Sequence, residues 1–331
     1  MDMTGKSLLI TGATGSFGQE FVRTVLERGQ PKRIVVYSRD EVKQYEMQQL
    51  FPIGRYPCMR YFIGDVRDER RLEMALRGIE MVVHAAALKQ VPTAEYNPFE
   101  CVRTNIHGAE NVVNASIQCG VRQVIALSSD KAANPINLYG ATKLASDKIF
   151  IAGNNLTPPN GTRFSVVRYG NVLGSRGSVL PAFRKLAAEG EKTLPITDER
   201  MTRFWITLRQ GVDFVLESFA RMCGGEIFVP KLPSMRIVDL ARAVVPDCRF
   251  SAVGIRPGEK LHEAMIPGDE ARLTLEFEDH YVIQPAFPFW SDENYMEKNG
   301  GRRVAEDFEY NSATNGTWLS IDELRAIIAG H

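Results

Sequence analysis

Between Ser128 and Lys143 the chain reads SSDKAANPINLYGATK, directly after the apolar run QVIAL. Tyr139 and Lys143 are four residues apart and share one face if the segment is helical. A phenol with an ordinary pKa of about 10 is a poor base at neutral pH, and a neighbouring ammonium lowers it by roughly 1–3 units. The same lysine is placed to hold a nicotinamide ribose. Ser129, at the carboxyl end of the apolar run, can donate to a substrate hydroxyl. These three residues suffice for hydride chemistry at a carbinol, yet the segment also sets an acid, Asp130, beside a base, Lys131.

An elimination would use that pair. Oxidising a sugar alcohol to a ketone acidifies the proton on the neighbouring carbon, which a base can then remove. If the next carbon bears a hydroxyl, an acid can expel it as water. The stored hydride then returns to the terminal carbon, and the whole is a redox-neutral dehydration. Both groups need shifted pKa values: partial burial lowers a lysine and raises a carboxylic acid, while mutual pairing pushes each the other way. Read without chemistry, the two residues are a salt bridge or helix cap in a surface loop.

A nicotinamide needs a dinucleotide site, and Thr11 to Gly18 read TGATGSFG. The string follows an apolar strand and opens an amphipathic helix, the context in which such glycines let the backbone approach a pyrophosphate at a helix N-terminus. Candidate contacts in this loop are Gly12, Thr14, Gly15, Ser16, Phe17 and Gly18. The second strand ends VVY-Ser38-Arg39, with no acid at its last position to take a ribose 2′-hydroxyl. Arg39 can pair with a 2′-phosphate and Lys43 can add charge, so NADP is favoured over NAD. Asp40 then reads as the cap of the next helix. Asp65, ending the third strand, fits an adenine-edge contact or another cap. Val66, Ala85 and Val172 complete the expected cofactor contacts.

The elements that must position these residues are legible as alternation. Short β-branched runs (SLLIT, RIVVYS, RYFIGD, MVVHAA, QVIALSS, FSVVRYGN, EIFVP) alternate with amphipathic stretches such as FGQEFVRTVLERG and YGATKLASDKIFIAG. Runs without polar interruption suit parallel strands covered on both faces, so the pattern predicts an α/β fold with a doubly wound parallel sheet. Regularity fades after Asn171, where GSRGS, KLPSMR and GIRPGEK bring Gly, Pro and Arg. The expected division is a dinucleotide-binding domain of 1–170 plus about 205–230, and a smaller, discontinuous substrate domain of 171–204 and 231–331. A last short helix is expected at SIDELRAIIA.

The bulk of the 331-residue chain sets limits. Forty basic and forty acidic side chains give a formal charge of zero, so no basic footprint points to nucleic acid or an anionic membrane. Five scattered cysteines without C-x-x-C suggest free thiols in a reducing compartment. No run approaches a membrane span, no leader is evident, and the histidines lack metal-ligand spacing. A soluble cytoplasmic protein without a metal is the expectation.

The glycine loop, strand-end serine and Y-x-x-x-K together resemble the extended short-chain dehydrogenase/reductase superfamily. Longer strings are more specific: YSRDEVKQYEM, HAAALKQVP, SSDKAANPINLYGATKLASDK, RYGNVLGSRGSV, TDERMTRFWIT and GIRPGEKLHEAMIP. With these the chain resembles the inverting UDP-N-acetylglucosamine 4,6-dehydratases, which open bacterial pseudaminic acid synthesis, nearly throughout to about Pro285. Retaining dehydratases typically carry Asp–Glu where this chain has Asp130–Lys131, and some Asp–Lys relatives lack the tyrosine that is intact here.

The resemblance implies roles. Tyr139 with Lys143 would oxidise C4, Lys131 would take the C5 proton, and Asp130 would protonate the departing C6 hydroxyl. Reprotonation of C5 from the opposite face, by Tyr139, would give the inverted L-arabino 4-keto sugar. Lys89 would lie near nicotinamide and substrate. Asn171, Arg203, Arg256 and Glu259 match substrate-contacting positions, the arginines facing the diphosphate. NADP would be regenerated at each turnover, and the family forms homo-oligomers, dimers or hexamers. Competing readings are a retaining 4,6-dehydratase, a UDP-sugar 4-epimerase, or a non-catalytic NADP-sensing protein on the same fold.

Overall fold

The computed structural model describes residues 1–174, 178–287, 295–296 and 299–330. The expected GSRGS stretch and the tail after Trp290 therefore lie partly outside the described residues. Six strands, β1 (Ser7–Thr11), β2 (Arg33–Ser38), β3 (Met59–Ile63), β4 (Met81–His84), β5 (Gln123–Ser129) and β6 (Arg163–Tyr169), form a parallel sheet in the order β3-β2-β1-β4-β5-β6. The strand Ile227–Pro230 adds parallel to β6, and three antiparallel strands, His280–Ile283, Thr274–Glu276 and Arg302–Arg303, extend that edge. Every residue of β1 and β4 is buried, as uninterrupted apolar runs between two helical layers require. This is the doubly wound α/β fold.

Strand order reverses between β1 and β4, and the crevice at such a switch point is where these sheets bind ligands. β1 leads into the helix Ser16–Glu27 through Gly12, whose φ of +64° lies in the left-handed region. A Cβ there would also stand 2.9 Å from the Ala86 backbone, so glycine serves both the turn and the close approach. The Asp40 carboxylate accepts from the Lys43 amide at 3.0 Å and caps the helix Glu41–Leu50.

A second apolar cluster, with Leu180, Phe183, Leu194, Trp205, Leu240 and Leu324 at its centre, stands apart from the main core. The strand Thr202–Ile206 ties the two together. Phe204 and Ile206 pack in the main core and Trp205 in the second, because alternate side chains leave a strand on opposite faces. The closing helix is Ile321–Ala329, its N-terminus held by a capping box of Ser320 and Glu323.

Candidate active site

A cleft of about 680 Å³ lies over the carboxyl ends of the central strands. Its cofactor-like end gathers Gly12, Thr14, Gly15, Ser16, Phe17, Gly18, Ser38, Arg39, Lys43, Asp65, Val66, Ala85 and Val172. The helix Ser16–Glu27 starts at Gly15 with no side-chain cap, leaving first-turn amides for an anion. That cradle fits a pyrophosphate. The Arg39 side chain is 56% exposed and only loosely paired, 3.7 Å from Asp65. Asp65 accepts instead from the amide and guanidinium of Arg67, at 2.7–3.0 Å, and Lys43 pairs with Asp40 at 3.0 Å.

The chemical end is built on β5. Ser129 Oγ accepts from the Lys131 amide at 3.2 Å and caps a single 3₁₀ turn, Asp130–Ala132, which sets the acid and the base directly beyond the strand. The helix Leu138–Gly153 then packs onto this turn: a Cβ on Gly140 would meet the Lys131 carbonyl oxygen at 2.2 Å. One helical turn apart, Tyr139 and Lys143 both reach the cleft. The Tyr139 hydroxyl is 3.5 Å from Ser129 Oγ.

Lys131 Nζ donates to Asp130 Oδ1 at 2.9 Å and lies 3.4 Å from Glu263 Oε1. Burial alone would lower this ammonium, but the two carboxylates outweigh it and the net shift is upward. Pairing therefore wins at Lys131, and its resting form is the ion. Asp130 is 1% exposed, and its Oδ2 has no hydrogen bond.

The expectation that Lys143 would acidify Tyr139 is corrected in this geometry. Lys143 Nζ donates to the Leu127 carbonyl at 2.6 Å. Burial raises the Tyr139 phenol, exceeding the opposing effects of the Ser129 hydrogen bond and the Lys131 charge. Lys143 is itself lowered by burial, with Asp147 acting against it. Beneath them His84 Nδ1 is 2.9 Å from Thr11 Oγ1, and burial drops its pKa to about 3. The imidazole is neutral.

Of the expected substrate contacts, Lys89, Lys131 and Asn171 line the cleft, and Asn171 Oδ1 is buried without a partner. Lys89 follows Leu88, whose amide and carbonyl are both bonded by the Asn105 side chain, at 2.8 and 2.9 Å. Arg203 is 5% exposed and donates to the carbonyls of Thr202, Leu261 and Lys260 at 2.6–3.0 Å. Its guanidinium is held by these carbonyls, with Nε 3.9 Å from Glu263, and Arg203 is not among the cleft-lining residues. Arg256 is exposed and Glu259 half-buried on the neighbouring turn, where the Glu259 amide donates to Arg256 O at 3.0 Å; neither lines the cleft.

Sequence reasoning missed the way this second segment grips the catalytic loop. Lys260 Nζ donates to Ala133 O and Asn137 Nδ2 to Gly258 O, each at 2.7 Å, and Glu263 completes a carboxylate pair around Lys131. Glu263 sits inside the quoted string GEKLHEAMIP, but no local spacing marks it. Among the described residues no cluster of His, Cys, Asp or Glu could hold a metal.

The profile of the polysaccharide biosynthesis protein family matches residues 8–285. A relative from Campylobacter jejuni subsp. jejuni serotype O:2, a UDP-N-acetylglucosamine 4,6-dehydratase (inverting), is 57% identical over 327 residues, covering 98% of this chain and 97% of its own. A UDP-glucose 4-epimerase from Rickettsia conorii is 39% identical over 334 residues, with coverage of 98% and 95%. Among solved structures, Pen from Bacillus thuringiensis superposes with a TM-score of 0.89 at 35% identity, covering 100% of this chain and 99% of that one.

Proposed function

The chain belongs to the polysaccharide biosynthesis protein family, and from that premise we propose that it is an NADP-dependent UDP-N-acetylglucosamine 4,6-dehydratase that inverts C5. The product would be UDP-2-acetamido-2,6-dideoxy-β-L-arabino-hex-4-ulose, the first intermediate toward pseudaminic acid. The observation that carries the reading is the 2.9 Å contact of Lys131 Nζ with Asp130 Oδ1, in one cleft with the glycine loop and Tyr139. We read 1–170 with about 205–230 as the cofactor half, and 171–204 with 231–331 as the sugar half. A cytoplasmic homo-oligomer fits the reading; no helix among the described residues is long and apolar enough to cross a membrane.

When bound, a nicotinamide would supply the hydride acceptor for C4 and the hydride donor for C6. Tyr139 takes the C4 hydroxyl proton as its phenolate, a form that burial disfavours and that Ser129 and the Lys131 charge favour. One proton crossing from Lys131 Nζ to Asp130 Oδ1 turns the resting ion pair into an amine and an acid. Lys131 then takes the C5 proton while Asp130 protonates the C6 oxygen, which leaves as water. The pair ends as ammonium and carboxylate, its starting form. Tyr139 delivers its proton to C5 from the other face, so every proton and electron pair is accounted for. Lys143 and Lys89 would hold the cofactor ribose and the substrate, and Arg39 and Lys43 would take a 2′-phosphate.

The epimerase reading is favoured by the Rickettsia relative, but an epimerase has no use for an acid and a base beside the tyrosine. Product NMR after incubation with UDP-N-acetylglucosamine in deuterated water tests the assignment. A 6-deoxy-4-keto sugar with deuterium at C5 and the L configuration is expected. A 4-hydroxyl epimer, or a D-configured ketone, overturns it.

A further inference from the structure

We propose that Glu263 is a positioning residue for the elimination: it anchors the Lys131 amine and strengthens it as the base at C5. This rests on the reading of Lys131 as that base. Glu263 enters from the segment before the strand Ala264–Ile266 and is only 2% exposed. Its backbone is pinned on both sides by Ser312: the Glu263 amide donates to Ser312 Oγ at 2.9 Å, and the Ser312 amide donates to Glu263 O at 2.8 Å. Oε1 is 3.4 Å from Lys131 Nζ and 3.9 Å from Arg203 Nε, while Oε2 is 3.9 Å from Lys260 Nζ and has no hydrogen bond. A buried carboxylate with an unused oxygen is costly to keep, and its nearest charged neighbour is Lys131, ahead of Arg203 and Lys260.

The chemistry supplies a reason. Once Lys131 passes a proton to Asp130, the new amine has lost its charged partner on that side. A carboxylate at Glu263 can still accept one of the remaining N–H groups, which restricts where the lone pair points. It also stabilises the ammonium that forms as the C5 proton arrives, so it raises the driving force of that step. The other charged groups facing Glu263 are Asp130, Arg203 and Lys260. Arg203, tied to three backbone carbonyls, and Lys260, tied to Ala133 O, are fixed in place. They offset the cost of its charge without competing for the lysine.

The test compares Glu263→Gln with Glu263→Asp and wild type, using UDP-N-acetylglucosamine carrying hydrogen or deuterium at C5. Expected for Glu263→Gln are a KM within about threefold of wild type, a kcat lower by about ten- to a hundredfold, and a larger C5 isotope effect as proton abstraction becomes limiting. Glu263→Asp, which keeps the charge, should recover part of kcat. An unchanged kcat, a loss confined to KM, or a reduced kcat with the wild-type isotope effect each overturns the proposal. If Glu263→Gln does not fold, Glu263→Asp alone decides, since a wild-type isotope effect there contradicts an anchor displaced from the amine. Wild-type enzyme that makes no dehydrated product would instead remove the functional reading itself.

Discussion

Replacing Lys131 with methionine keeps the length of the side chain and removes the cation nearest to both Asp130 and Glu263, which are 1% and 2% exposed. Removing one member of a buried ion pair costs about 3–5 kcal/mol, because the remaining charge is left without a partner. The Lys131 side chain is 27% exposed, so solvent reaches the site and the figure is discounted to about 2 kcal/mol. At about 2.1 cal/mol/K of unfolding entropy per residue, a chain of 331 residues loses about 1.4 °C of Tm per kcal/mol. The expected deficit is therefore about 3 °C at pH 7.5. It should depend on pH in a definite sense. Without the lysine, burial holds the folded-state pKa of Glu263 above its unfolded value near 4. The folded variant then binds more protons than the unfolded chain, and its stability falls as pH rises from about 4 upward. At pH 5 the deficit should shrink to less than about half. Matched thermal melts of wild type and Lys131→Met at pH 5, 6 and 7.5 measure this difference directly. A deficit equal at all three values, or greater at pH 5, refutes the claim that Lys131 neutralises buried carboxylates. The same variant should lose dehydratase activity while keeping NADP affinity.

Arg39→Ala should weaken NADP by about tenfold or more and NAD by less than about twofold in calorimetric titrations, because only a 2′-phosphate uses the lost charge; equal losses would remove the case for NADP. His84 is buried and neutral, its pKa dropped from 6.5 to about 3, so as pH falls below 6.5 the unfolded chain takes up a proton that the folded chain refuses. His84→Asn should therefore flatten the acid loss of urea-measured stability between pH 6.5 and 4, by about 1.4 kcal/mol per pH unit; parallel curves would contradict the buried neutral ring.

The central sheet was legible because parallel strands covered on both faces must be apolar throughout, and SLLIT, RIVVYS and MVVH carry that signature. The glycine loop was legible because Gly12 needs its backbone conformation locally, and Asp40 because a cap is a local contact. The pairing of Asp130 with Lys131 follows from adjacency plus a 3₁₀ turn. What local sequence does not encode is which distant segment closes on that turn. Glu263, Lys260 and Gly258 reach it only through the tertiary packing of a distant segment. Arg203 shows the converse: a basic residue in TRFWIT looks available for a diphosphate, but the alternation of that strand turns its side chain inward onto carbonyls. The Tyr139 phenol escaped for the same reason, since spacing fixes the face it shares with Lys143 but not the degree of burial.

The most direct test is a crystal structure of the Tyr139→Phe variant with NADP and UDP-N-acetylglucosamine. The expected result places Lys131 Nζ within about 3.5 Å of C5 and an Asp130 oxygen at hydrogen-bond distance from the C6 hydroxyl, with the nicotinamide over C4. A hexose bound outside that reach, with the lysine and aspartate still paired only to each other and to Glu263, would contradict the assignment of the elimination to these two side chains.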